Sequence, residues 1–390
     1  MDSKPIVASY CTTFLKPEMR HIYRQVIGLR RYQTFIMTRE RKCAAEFPFP
    51  DIELIPRARK NFLKRFYLKY VRRLPPVYYR GELQVLIKLL RRRPADLMHV
   101  YFGHTGVHLL PFIQEWEKPC VVSFHGMDIQ PRPDQPGYDE QMRELLRTAP
   151  LVLARSESLA RRLEQLGCPP EKIRLNRTGI PLESYPFFER AVPPAGAWHF
   201  VQACRLIEKK GLATALEAFA HFRRSHSGSR FTIAGEGPMR GQVQELASKL
   251  GIADGVDLRG FLGQSELAQL YSESHIFLHP SETTADGNVE GVPNSMLEAM
   301  ATGLPVLATQ HGGIPEAVTS GRDGLLVPER AAAALLAAME ELTATPDRFL
   351  EFGRAAAAAV REKFEHSRSI EQLESIYDEA RSLAPPAARS

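Results

Sequence analysis

Ile276-Phe277-Leu278-His279, the polar run Pro280-Ser281-Glu282-Thr283-Thr284-Ala285-Asp286-Gly287-Asn288, then Glu290-Gly291-Val292-Pro293-Asn294-Ser295-Met296-Leu297-Glu298, and finally Val306-Leu307-Ala308-Thr309 decide the fold. The first four residues read as a strand, because a short apolar run bounded by turn residues suits a sheet covered on both faces. Pro293 fits a first helical turn, Met296, Leu297 and Met300 supply one apolar face, and Gly303 ends the helix before the strand at Val306. Strand, loop, helix and strand in that order predict a parallel sheet. Ligands of such sheets sit beyond the carboxyl ends of the strands, which directs attention to the loop at 280–293. Amides near Asn294 and Ser295 would point out of the helix start and suit an anion such as a diphosphate.

The same alternation runs outward in both directions. Strands are predicted at 6–10, 34–37, 97–102, 120–124 and 151–154, and again at 199–204, 230–234, 256–259 and 306–309, with helical stretches between them. Ala191-Val192-Pro193-Pro194-Ala195-Gly196-Ala197 interrupts the series as a linker would. The expected organisation is therefore an α/β chain with one Rossmann-like domain at 1–190, a second at 197–366 and a terminal helix at 367–383. That helix carries Ile370, Leu373, Ile376 and Tyr377 on one stripe, with Ser369 and Gln372 spaced as a capping box.

Composition narrows the class. The 390 residues are 44% hydrophobic and 25% charged, and no apolar run approaches the roughly 20 residues a membrane span needs. Disordered, collagenous and integral membrane proteins are excluded. No basic, then apolar, then small-residue leader is visible at the amino terminus, so a cytoplasmic location is expected. Five cysteines are scattered without a C-x-x-C pair, which argues against a disulfide framework and a zinc site.

Charge is uneven. Residues 57–93 hold 13 Lys or Arg against Glu82 alone, a balance of +12, leaving −6 of the overall +6 for the rest. Phe62, Leu63, Phe66, Tyr67 and Tyr70 form an apolar stripe there, with Lys64, Arg65, Lys69, Arg72 and Arg73 around it, and Leu83, Leu86, Ile87 and Leu90 form another. Two readings stand: an interfacial surface for anionic lipid on the inner leaflet, or core stripes with a solvated basic face. Nucleic acid is not expected as a partner, since no recognised fold or stacking motif accompanies the charge.

An anion held at the helix start near Asn294 calls for cationic groups already aimed at it. Arg205 follows the strand at 199–204, and Lys210 precedes Gly211 and a helix with Leu212, Ala215, Leu216 and Phe219 on its apolar face. No D-x-D triplet is present to hold a metal. Glu290 and Glu298 could also be read as a glycosidase pair. Eight positions on one helix would separate them by about 12 Å, beyond the roughly 5–9.5 Å of hydrolytic pairs. That separation weakens the rival, and placing Glu290 before the helix leaves it open. Gly235-Glu236-Gly237-Pro238-Met239-Arg240-Gly241 is similar to a dinucleotide fingerprint but reads better as a tight βα turn.

The E-x7-E element Glu290/Glu298 lies within Glu290-Gly291-x-Pro293, continued by Leu297-Glu298-Ala299-Met300-Ala301-Thr302-Gly303-Leu304-Pro305-Val306 and Gly312-Gly313-Ile314-Pro315-Glu316. With His125-Gly126-Met127-Asp128, Arg205-Leu206-Ile207-Glu208-Lys209-Lys210-Gly211 and Gly235-Glu236-Gly237-Pro238, it resembles glycosyltransferase family 4, and within it the bacterial exopolysaccharide enzymes of the colanic acid and amylovoran type. The resemblance implies a GT-B fold, two Rossmann-like domains facing a cleft, with the C-terminal helix crossing back to the N-terminal domain. It implies a retaining transfer of a hexose from a UDP or GDP sugar to a glycan or polyprenyl-diphosphate-linked acceptor, with neither metal nor cofactor.

By the same resemblance the catalytic set is His125, Glu290, Arg205 and Lys210. Glu298 takes the ribose hydroxyls and Glu290 those of the donor sugar, with Gly291, Val292, Pro293, Asn294, Gly235, Gly237, Phe261 and Leu262 also on the donor side. Asp128 and His104 belong to the acceptor side, Asp128 orienting the acceptor or the loop. The glycine-rich loop that many relatives carry after the first strand is absent, its place taken by Cys11-Thr12-Thr13-Phe14-Leu15-Lys16-Pro17-Glu18-Met19. A non-catalytic nucleotide-sugar binding protein and a membrane-surface binding protein are the alternatives.

Overall fold

The computed structural model describes residues 4–383 apart from 17–18, 57–61, 73–75, 131, 133–134, 136 and 286. It falls into two compact units, one of Met1–Arg177 with Ser367–Ser390 and the other of Thr178–His366.

Seven parallel strands form the first unit's main sheet: β1 Ile6–Tyr10, β2 Gln33–Thr38, β3 Ile52–Leu54, β4 Leu97–Tyr101, β5 Cys120–Phe124, β6 Leu151–Ala154 and β7 Ile173–Leu175. Their spatial order is β3-β2-β1-β4-β5-β6-β7. β1 is interior, with Val7 beside Thr34 on one side and Leu97 on the other. Successive side chains leave a strand on opposite faces, so Ala8 and Tyr10 enter one core while Val7 enters another.

The tail helix, His366–Ser382, covers that second face with Leu373, Ile376, Tyr377 and Ala380. Glu374 secures it by accepting the backbone amides of Arg30 and Arg31 at 2.6 Å each. Ser369 is not its cap. The helix begins three residues earlier, and the Ser369 hydroxyl donates instead to the Arg177 carbonyl at 2.6 Å.

The second unit repeats the pattern with β8 His199–Ala203, β9 Arg230–Ala234, β10 Val256–Gly260, β11 Ile276–His279, β12 Val306–Thr309 and β13 Gly324–Val327, ordered β10-β9-β8-β11-β12-β13. Phe200 and Leu307 pack on one face, Val201, Val306 and Ala308 on the other. The chain order reverses between β8 and β11, and a crevice opens at the carboxyl ends of the strands at such a switch point.

The passage between units falls at Arg177 and Thr178, not in the Pro-rich stretch expected as a linker. Residues before that stretch are already fastened to the second unit. The buried Arg190 guanidinium donates to the carbonyls of Tyr271, Ser272, Ser274 and Thr302, and the Phe188 amide donates to Thr302 as well.

The two stripes of the basic segment part company. In the helix Glu82–Arg92, Leu83, Leu86 and Leu90 are buried in the first unit's core. From Phe62 through Val71 the chain is also helical, yet Phe62 is 74% exposed, Leu63 71% and Tyr70 56%, and Phe66, Tyr67 and Val71 face solvent with them. Residues 57–61 and 73–75 of the segment lie outside the described residues. No helix among the described residues is long and apolar enough to cross a membrane.

Candidate functional site

Two loops meet where the second sheet reverses. After β8 the chain passes the exposed Arg205 and makes a single turn over Glu208–Lys210 that closes on Gly211. Gly211 is left-handed (φ +60°), and a Cβ there would lie 1.7 Å from the Pro280 carbonyl oxygen of the loop after β11. Only glycine permits that approach. The Glu282 amide then donates to the Lys209 carbonyl (2.9 Å), and buried Gln202 donates to that of Lys210 (2.8 Å).

Both lysine side chains are thereby turned inward and buried. Lys210 Nζ lies 2.6 Å from Glu290 Oε2, while Lys209 Nζ is 3.6 Å from the same oxygen and 3.3 Å from Asn288 Oδ1. Burial alone would raise the Glu290 carboxyl, but Lys210 and Lys209 outweigh it and pull it down to about 2. Burial lowers Lys209 from its ordinary value, with Glu290 opposing. Glu290 is thus held ionised by two ammonium groups.

The Glu290 peptide sits in an irregular segment and is fixed by a turn after β12. Its amide donates to His311 Nε2 at 2.8 Å, and its carbonyl accepts the Gly313 amide at 3.2 Å. Gly312 is left-handed (φ +55°), and a Cβ on it would come within 2.0 Å of the Glu290 oxygen. Since Nε2 accepts, the His311 proton lies on Nδ1, which donates to Glu329 Oε1 at 2.7 Å. Glu329 also accepts the Thr283 amide at 2.7 Å. Burial would raise its carboxyl, but the Thr283 amide and His311 hold it below the ordinary range.

The helix Asn294–Ala301 starts after Pro293, and Ser295 ties its first turn to the end of β8 by donating to the Ala203 carbonyl at 2.6 Å. Glu298 is buried on this helix. Gly235 and Gly237 let the turn after β9 press on the loop after β8, since Cβ atoms there would meet the carbonyls of Cys204 at 1.8 Å and Leu206 at 2.3 Å. Backbone packing accounts for both glycines. Phe261, just past β10, is 58% exposed, while Leu262 packs on the core.

In the first unit His125 follows β5 and is anchored through Asp128. One Asp128 oxygen accepts the amides of His125 and Gly126 at 2.9 Å each, and the other accepts the Gly103 amide at 2.8 Å. Asp128 is 3% exposed, so within this unit it orients the loop. The His125 ring lies 3.1 Å from His21 Nε2 through Nδ1 and 3.1 Å from Ser123 Oγ through Nε2, with Arg155 at 3.4 Å. Burial, then His21 and Arg155, push its pKa well below 6.5, so the imidazole is neutral at pH 7. Phe102, with φ +76°, stacks on the His104 ring (centroids 5.5 Å apart) and lies tilted against that of His125 (4.5 Å). Burial lowers His104 to about 4.

The structure therefore brings together Lys210, Glu290 and the start of the 294–301 helix in one unit, and His125, Asp128 and His104 in the other. The sequence reading missed Lys209, His311, Glu329, His21 and Arg155. Of these, Lys209 adjoins a residue already chosen and His311 precedes a quoted Gly-Gly pair; nothing in the spacing marks the other three.

Residues 187–359 match the family described as glycosyl transferases group 1, and residues 20–184 match glycosyltransferase family 4. The chain is 33% identical over 290 residues to the amylovoran biosynthesis glycosyltransferase AmsK of Erwinia amylovora, covering 73% of this chain and 70% of that one. It is 36% identical over 252 residues to the putative colanic acid biosynthesis glycosyltransferase WcaL of Salmonella typhimurium, covering 64% of this chain and 62% of the relative's length. Among solved structures it is similar to Anabaena HepE in complex with UDP (TM-score 0.77, 17% identity, 96% of this chain and 100% of that one). Sucrose-phosphate synthase from Thermosynechococcus elongatus is also similar (TM-score 0.74, 18% identity, 96% and 98%). Both share the arrangement of two parallel-sheet Rossmann-like domains.

Proposed function

The chain belongs to glycosyltransferase family 4, and on that footing we propose that it transfers a hexosyl group, with retention, from a UDP or GDP sugar to a glycan or polyprenyl-diphosphate-linked acceptor in bacterial exopolysaccharide biosynthesis. The observation that carries the reading is the Lys209–Lys210–Glu290 cluster at the switch point of the second sheet, beside a helix start. Arg205, Lys210 and the first amides of the helix receive the charge that develops on the leaving diphosphate. Glu290, kept ionised, accepts hydroxyls of the donor sugar, and Glu298 accepts those of the ribose.

The anomeric carbon–oxygen bond breaks with its electron pair going to the phosphate oxygen. The acceptor hydroxyl oxygen bonds to the same face of the sugar, and its proton passes to the departing phosphate. The cations perform the neutralisation a metal performs elsewhere. The test is a panel of UDP, GDP and ADP sugars in EDTA, followed by nucleotide release. One donor class is expected to turn over; none turning over, with or without added magnesium, supports a non-catalytic binding protein instead.

A cytoplasmic chain acting on lipid-linked sugar benefits from a membrane surface, and the helical stretch from Phe62 to Val71 favours one. Phe62, Phe66 and Tyr70 form an exposed ring ladder (centroids 6.3 and 4.8 Å apart) with Arg65, Lys69 and Arg72 exposed around it. Apolar rings with cationic flanks suit an anionic bilayer. The protein is expected to float with phosphatidylglycerol vesicles and not with phosphatidylcholine, and Phe62→Ser/Phe66→Ser to remain unbound. Equal flotation of that variant would reject this surface.

A further inference from the structure

We infer that His311 and Glu329 are positioning residues for Glu290, acting as a relay that sets where its carboxylate stands against the donor sugar; this rests on the donor-site reading above. Glu290 lies in a stretch, from Pro280 to Pro293, whose described residues form neither helix nor strand, so no ladder of backbone bonds there fixes its orientation. Its orientation comes from three consecutive residues after β12. His311 takes its amide, Gly313 gives an amide to its carbonyl, and Gly312 has the left-handed backbone that lets the turn close on it.

An imidazole can serve as an acceptor toward Glu290 only in one tautomer, and Glu329 selects it by taking the Nδ1 proton. The His311 side chain is wholly enclosed, whereas that of Glu329 is 30% exposed. Glu329 also accepts the Thr283 amide and hydroxyl, at 2.7 and 3.2 Å. One carboxylate thus pins the loop near its entry at Thr283 and, through His311, near its exit at Glu290. Lys210 and Lys209 neutralise the Glu290 carboxylate but pull it toward themselves; the relay on the peptide supplies an independent constraint. The arrangement is one side chain holding a second that holds a reacting group's backbone, the pattern by which supporting contacts tune a site.

Neither residue touches the nucleotide in this account, and that separates positioning from a general loss of structure. In His311→Leu and Glu329→Ala, kcat for the donor that turns over in the panel should fall about 10- to 100-fold, the scale of an ångström-sized misplacement. Affinity for UDP and GDP, measured by calorimetry, should stay within about twofold of the parent, because those contacts lie with Arg205, Lys210 and the helix start. His311→Gln keeps an oxygen acceptor for the Glu290 amide and should recover part of the loss. If His311→Leu does not fold, the more exposed Glu329→Ala decides. An unchanged kcat in the folded variant, or nucleotide affinity falling in step with kcat, overturns the relay. A Glu290→Ala enzyme of full activity would instead overturn the donor-site reading.

Discussion

Glu290→Ala should reduce turnover of the sugar nucleotide by about 10²- to 10³-fold, the scale on which removal of a single pre-aimed electrostatic group slows an enzyme. Two effects add. On the proposed reading an acceptor for the donor sugar's hydroxyls is lost, and Lys210 loses the carboxylate partner 2.6 Å away. The pH dependence of stability should change with it. Glu290 is depressed from 4.5 to about 2 on folding, so its contribution is present above pH 4.5 and lost as the pH falls toward 2. The variant's acid-unfolding curve should be shallower over that window. Nucleotide release at the parent rate would remove Glu290 from the mechanism.

Gly211→Ala is the second large effect, and it acts through the backbone. A left-handed alanine and a methyl 1.7 Å from the Pro280 carbonyl cannot coexist with the present loops. Separating them costs about 2–5 kcal/mol, combining the left-handed penalty with overpacking. It also withdraws Lys210 from Glu290, so activity should fall further than stability alone explains. Gly241 is the control: it lies in the helix Arg240–Lys249 with nothing within 4 Å of an added Cβ. Gly241→Ala should be neutral or stabilising by about 0.5–1 kcal/mol. Urea midpoints read both, and a Gly211→Ala midpoint equal to the parent's would contradict the close approach.

These outcomes separate what the sequence displays from what it hides. Central strands were legible because both faces are covered: Cys120–Phe124 and Ile276–His279 are wholly buried and read as mostly apolar runs, each with a single polar residue. In the two main sheets the strands missed were Ile52–Leu54, Ile173–Leu175 and Gly324–Val327, all at sheet edges and only three or four residues long. Ser369 and Gln372 satisfied a local capping rule that tertiary contacts overrode, the helix having already begun and Arg177 having claimed the hydroxyl.

The site shows the same division. Gly211, Gly235 and Gly312 stood out in the sequence, and each has a backbone reason. The pairing of Lys210 with Glu290 spans 80 positions and arises only because the sheet sets β8 beside β11. Charge alone could not choose between Lys209 and Lys210, and both face the carboxylate. Glu329 follows the edge strand Gly324–Val327, which had not been expected, so the partner of His311 had no place in a reading built on the central strands. The aromatic stripe at 62–70 and the leucine stripe at 83–90 look alike by periodicity, yet one is exposed and the other buried.

Crystals soaked with UDP or GDP test the central claim most directly. The account places the diphosphate beyond the carboxyl ends of β8 and β11, within hydrogen-bonding distance of Arg205, Lys210 and the first amides of the 294–301 helix. A diphosphate ordered elsewhere, or bound there with Arg205 and Lys210 both directed away from it, would contradict it.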